Sequence, residues 1–169
     1  LYAAGVAGFE DLLNIVKIRG ELMQNAGEKS PGTMAALIGS DEKTAQALCD
    51  EASKTGVVCP ANFNAPGQIV ISGSVDGVRK AVKVAKNFGI RRVVELNVSG
   101  AFHSPLMADA VDGLIGRIQE TGFQPANIPV VSNVTALPVT DPDEIKQNLE
   151  KQLLNPVRWS ESVEHMAQN

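Results

Sequence analysis

Aromatic side chains are scarce. Five Phe, one Tyr and one Trp make up 4% of 169 residues, too few for the stacking platforms on which single-stranded nucleic acids bind. There is no basic run, and the formal net charge is -4, which argues against a nucleic-acid groove or an anionic membrane surface as the main partner. The two cysteines, Cys49 and Cys59, make neither a disulfide framework nor a C-x-x-C site; they suit a reducing compartment as plain packing residues. No apolar run approaches transmembrane length. The strand-turn-helix signature G-x-S-x-G is missing. Gly73-Ser74-Val75-Asp76-Gly77 comes closest, but its spacing is wrong and Ser74 already makes sense as a helix cap. The glycines are too scattered for a phosphate loop, and no His, Cys or carboxylate cluster has metal-ligand spacing. No metal or bound cofactor is therefore expected.

Hydrophobic content of 44% and charged content of 20% are ordinary for a soluble globular protein of a length that buries a proper core. The opening Leu1–Phe9 lacks the cationic region of a signal peptide and reads as the second half of a buried helix. Residues 9–26 form the clearest helix, with Phe9, Leu12, Leu13, Val16 and Met23 at helical spacing and Ile15, Ile18 and Leu22 widening the arc. A regular series follows. It runs strand 33–38, helix 41–54 capped by Ser40, strand 57–63, a turn at Asn64-Ala65-Pro66-Gly67, strand 68–73, helix 75–88 capped by Ser74, and strand 91–98. That β-α-β-β-α-β order is the split-βαβ, ferredoxin-like pattern. Beyond it, a helix is predicted over 106–122, a short strand of the buried kind over 129–134, a helix opened by Asp141-Pro142, and a last helix from Ser160. Both flanks read as α/β layers, with the ferredoxin-like unit inserted between them.

Two residues stand out chemically. His103, one of two histidines, sits in a strand-to-helix turn, where it can face a cleft and exchange a proton near neutral pH; local hydrogen bonds would satisfy it equally well. Arg19 falls inside the apolar arc of the first helix, between Ile15 and Met23. It is either a guanidinium fork for a carboxylate or phosphate, a member of a structural ion pair, or an arginine whose stem snorkels out.

Six stretches carry a family resemblance: VKIRGELMQ at 16–24, GTMAALIG at 32–39, NFNAPGQIVISG at 62–73, VSGAFHSPLM at 98–107, PVVSNVTA at 129–136 and LLNPVRWSESVEHM at 153–166. Together and in order they resemble the malonyl-CoA:acyl-carrier-protein transacylases of fatty-acid synthesis. The resemblance implies an α/β-hydrolase-like body (1–31 and 99–169) with an inserted ferredoxin-like subdomain (32–98). It implies a malonyl-serine ester formed on a serine upstream of Leu1, so that the sequence reads as the middle of a longer protein and is inactive alone. It makes His103 the general base, held by a backbone carbonyl near the C-terminus, at Gln168 or Asn169. It makes Arg19 the holder of the malonyl carboxylate and puts Met23 and Phe102 in the acyl pocket, Phe102 favouring malonyl over methylmalonyl. Asn64, with Asn62, takes a supporting role near the site. The implied partners are malonyl-CoA and acyl carrier protein, whose phosphopantetheine is the acceptor, acting on a monomer in bacterial cytoplasm or in a plastid or mitochondrial matrix. Two alternatives are an acyltransferase domain of a polyketide or fatty-acid synthase, and a non-catalytic ligand-binding module on the ferredoxin-like unit.

Overall fold

The computed structural model describes residues 1–169. Residues 1–8 are not the tail of a helix. The Ala4 N–H donates to Leu1 O and the Gly5 N–H to Tyr2 O, and Gly5 turns the backbone at φ +75°, a conformation open to glycine at little cost. Helix α1 then runs Phe9–Lys29. Its predicted apolar face is only partly the buried one: Ile15, Met23, Ala26 and Gly27 are buried, while Phe9, Leu13 and Val16 are exposed. Apolar residues cover more than half of this helix's circumference, so periodicity fixes the helix but not its roll. The roll is set by packing on the turn that follows His103 and on the helix after it.

The middle of the protein runs β1 (Gly32–Ile38), α2 (Glu42–Ala52), β2 (Val58–Ala65), β3 (Gln68–Ser74), α3 (Val75–Val84) with a 3-10 turn at Ala85–Phe88, and β4 (Arg92–Leu96). The sheet order is β2-β3-β1-β4, with every neighbouring pair antiparallel. Strand alternation divides its residues. Ala35, Leu37, Ile69 and Ile71 meet Ala45, Leu48, Cys49 and Ala52 of α2 and Val78 and Ala81 of α3 in one core. Met34, Ala36, Ala61 and Val70 form a second cluster with Phe102 packed against it. Both faces of the sheet are thus covered, and the second one supports the loop that carries His103. Full burial of Leu37, Leu48 and Ile71 contributes roughly 1.5–3 kcal/mol each. The cap of α2 is Asp41 rather than Ser40: Asp41 Oδ1 accepts from the Thr44 N–H at 2.7 Å, while Ser40 is buried and its hydroxyl donates to Asp41 O. Ser74 does cap α3, accepting from the Gly77 N–H.

After the loop, a 3-10 turn at Pro105–Ala110 leads into α4 (Val111–Glu120), so the predicted helix over 106–122 starts later and ends sooner. Met107, Ala110, Leu114 and Ile118 are buried as their spacing predicts. The expected buried strand at 129–134 shrinks to β5 (Val130–Val131), half-buried and paired with β6 (Pro138–Val139). Helix α5 (Pro142–Gln152) has Asp141 as its cap and Pro142 in its first turn, and α6 spans Trp159–Gln168. Between them the backbone returns to the main sheet. Val157 donates to Ala61 O and accepts from the Phe63 N–H, a parallel bridge at Asn62. No helix is long and apolar enough to cross a membrane.

Candidate active site

His103 is held from three sides. Behind it, β4 ends at Leu96. Ahead of it, Ser104 is fully buried, its hydroxyl donating to Ala101 O at 2.6 Å and accepting from the Leu106 N–H at 3.3 Å; Pro105 follows in the first turn, where its missing N–H costs nothing. The backbone of His103 itself sits at φ +57°, a left-handed conformation uncommon for a non-glycine residue. Cys59 of β2 adds a long Sγ contact to His103 O at 3.8 Å.

The third side is the ring. Nδ1 lies 3.0 Å from Gln152 O, at the last residue of α5, where a helix leaves carbonyls without intrahelical partners. A carbonyl can only accept, so Nδ1 carries the proton and donates it. The lone pair then falls on Nε2, the tautomer a general base needs. This corrects the sequence expectation: the carbonyl belongs to Gln152, not to Gln168 or Asn169. Burial pushes the His103 pKa down, the carbonyl of Gln152 resists, the charge of Arg19 pushes it further down, and a backbone hydrogen bond to Asn155 resists again. The net shift is downward, which keeps the half-buried ring neutral and basic at pH 7.

Arg19 lies near enough on α1 for its charge to act on that ring. Its guanidinium is partly desolvated, which lowers its own pKa. The ion pairs of the protein involve Lys17, Lys29, Lys54, Arg117 and Arg158, not Arg19, so a structural ion pair does not explain it. A half-buried guanidinium with no carboxylate of its own is an open position for an anion. Met23, one turn further along α1, is buried with Met107, and Phe102 packs between that core and the sheet. His103, Arg19, Met23 and Phe102 therefore gather where α1 meets the loop. Asn64, on β2, lines a surface depression with Trp159 and Val163 of α6. No three His, Cys, Asp or Glu side chains gather as metal ligands. Both thiols are poor nucleophiles: burial pushes Cys49 up to about 12 and Cys59 up to about 11.

Against known proteins, the acyl transferase domain family matches residues 1–169. The chain belongs to the acyl transferase domain family. Among its relatives in that family is the malonyl CoA-acyl carrier protein transacylase of Escherichia coli strain K12, 41% identical over 167 residues, which are 99% of this chain and 54% of the relative. The Bacillus subtilis protein of the same name is 42% identical over 164 residues, covering 96% of this chain and 52% of that protein. Among solved structures, an acyl carrier protein S-malonyltransferase from Vibrio cholerae superposes with a TM-score of 0.95 at 41% identity, covering 99% of this chain and 55% of that one. A malonyl-transacylase in complex with its type II polyketide acyl-carrier protein gives 0.93 at 37% identity, over 98% of this chain and 53% of that one. The mixed α/β fold is thus that of these acyl transferases, and this chain spans about half the length of the relatives it matches.

Proposed function

We infer that this chain forms part of an enzyme that moves a malonyl group from malonyl-CoA to the phosphopantetheine thiol of acyl carrier protein through a malonyl-serine ester. The carrying observation is the pairing of a base with an anion site: His103 with Nε2 free, and Arg19 without a carboxylate partner, at one junction. A serine hydroxyl supplied by the remainder of the enzyme attacks the thioester carbonyl while His103 Nε2 takes its proton. The C–S bond breaks and the proton passes to the departing coenzyme A thiolate. In the second half the phosphopantetheine thiol attacks the ester, His103 takes the thiol proton, and the C–O bond breaks as the serine oxygen is reprotonated. Arg19 pairs with the free malonyl carboxylate in both halves, and Met23 and Phe102 line the acyl side. No bound cofactor or metal enters these steps.

The names of the relatives support the substrate and the carrier-protein partner, and bacterial cytoplasm is the setting that fits them. Residues 32–98 form a ferredoxin-like subdomain on this reading, and 1–31 with 99–169 belong to an α/β-hydrolase-like body. The β-α-β-β-α-β order and the second covered face of the sheet support that division. A transferase domain of a larger synthase would use the same chemistry. A free-standing ligand-binding module at 32–98 draws no support from a family match that runs across 1–169.

The test uses the complete enzyme. His103→Ala should lower kcat by at least ~10²-fold, as loss of a general base does. Arg19→Ala should lower kcat/KM for malonyl-CoA by at least tenfold more than for acetyl-CoA. Equal losses for the two substrates would remove the clamp, and near wild-type turnover by His103→Ala would remove the base.

A further inference from the structure

The carbonyl that orients His103 is one that a continuing helix would use up. A helix leaves its last four carbonyls without intrahelical partners, and α5 ends at Gln152. Which of those carbonyls meets the imidazole decides where the ring points. In a further turn, Lys151 O would accept from the N–H of residue 155 and Gln152 O from the N–H of residue 156. Residue 156 is a proline. It has no N–H to give, and in a helix its ring would run into the Gln152 carbonyl. Asn155, just before it, is biased to extended backbone for a related steric reason. Helix α5 therefore stops, and Gln152 O has no helical donor.

Asn155 then removes the competing acceptor. Its side-chain Nδ2 donates to Lys151 O at 2.7 Å, in place of the backbone donor that a further turn would bring. The Leu154 N–H donates to the same oxygen at 3.3 Å. Both lone pairs of Lys151 O are engaged, and Gln152 O is left for His103 Nδ1 at 3.0 Å. The link is pinned on either side. Leu153 is buried in the core that holds Met23 and Met107. Val157 bonds Ala61 O and the Phe63 N–H, and the Arg158 N–H donates to Asn133 O. Stopping a helix needs only the proline; the amide of Asn155 adds a choice between two neighbouring carbonyls.

We propose that Asn155 and Pro156 are positioning residues for His103: together they reserve the Gln152 carbonyl for the imidazole, and so keep the proton on Nδ1 and the lone pair on Nε2. The consequence for rate rests on the reading of His103 as the base. The consequence for the ring does not.

The ring is therefore read directly, in the complete enzyme with isotope-labelled histidine. The His103 nitrogen resonances, assigned by their loss in His103→Gln, should report a protonated Nδ1 and a bare Nε2. Pro156→Ala restores an N–H that competes for Gln152 O, and Asn155→Ala returns Lys151 O to the competition. Each should raise the Nε2-protonated population about fivefold, the shift that losing one ordinary hydrogen bond produces. Each should lower kcat for malonyl transfer by ~10-fold or more while KM stays within about twofold. Asn155→Gln, which keeps an amide donor, should recover most of both. Unchanged ring protonation in the two alanine variants would overturn the proposal. So would a lower kcat that comes with a lower Tm and an unaltered ring, the mark of a cap that only stabilises α5. Asn155→Gln faring no better than Asn155→Ala would overturn the role of the amide. If Pro156→Ala does not fold, the Asn155 variants decide. Near wild-type turnover by His103→Ala would remove the base and leave the ring measurement to decide this proposal.

Discussion

Gly27 and Gly20 both lie inside α1, and they should respond to alanine in opposite directions. On helix propensity alone each Gly→Ala change stabilises by about 1 kcal/mol. At Gly20 nothing lies within 4 Å of the added Cβ, so the gain stands. At Gly27 the Cβ would fall 2.7 Å from Ser99 O and 3.4 Å from the Gly100 Cα. Both obstacles are backbone, and the first is about 0.7 Å inside ordinary contact distance. Overpacking of this kind costs roughly 1–3 kcal/mol. The difference between the two variants cancels the shared propensity gain and reads that cost directly. In a protein of this size ~1 kcal/mol moves Tm by roughly 2–4 °C. Gly20→Ala should therefore melt a few degrees above the parent, and Gly27→Ala roughly 2–12 °C below Gly20→Ala. Calorimetry with matched urea titrations decides it, and equal stabilisation by the two substitutions would refute the close approach. The same contact spaces the helix bearing Arg19 from the loop bearing His103. Misplacements near 1 Å can cost about 10² in rate, so Gly27→Ala in the complete enzyme should lose at least tenfold in malonyl transfer.

Three further outcomes are expected. Iodoacetamide at pH 8 should label Cys49 and Cys59 in the folded protein at least ~100-fold more slowly than in urea, because pKa values of about 12 and about 11 leave little thiolate; equal rates would contradict their burial. Because the folded pKa of His103 lies below the ordinary imidazole value, the unfolded state binds a proton there that the folded state refuses. Stability should then fall as pH drops from about 6.5 towards the folded value, and His103→Gln should flatten that part of the profile in pH-dependent urea unfolding. Asp41→Ala should cost about 1 kcal/mol through loss of the α2 cap, with Asp41→Asn restoring most of it in the same measurement.

The central β-α-β-β-α-β order was legible because each element carries one clear period. Ala45, Leu48, Cys49 and Ala52 read as one helical face, and all four are buried in one core. The first helix was legible as a helix but not in its roll, since exposed Phe9, Leu13 and Val16 are as apolar as the buried Ile15 and Met23. Of the site, the motif residues His103, Arg19, Met23 and Phe102 could be named from the sequence and do gather. Asn64, chosen by its motif, lies on β2 beside α6. Gln152 was missed for a definite reason: its contribution is a backbone carbonyl, which no residue type announces. The one available signal was positional, the end of a helix stopped by Asn155-Pro156, where carbonyls are left free.

The bridge that clasps Val157 between Ala61 and Phe63 also sets an order of events in time. Residues 32–96 can assemble from hairpins and neighbouring helices, through contacts of modest sequence separation. The clasp joins residues more than ninety positions apart, and closing so long a loop is slow. The protein should therefore fold from its middle outward, with α5 and α6 captured last. His103 would then meet the carbonyl of Gln152 only as the final segment locks, so that its ring tautomer is set in the closing step of folding.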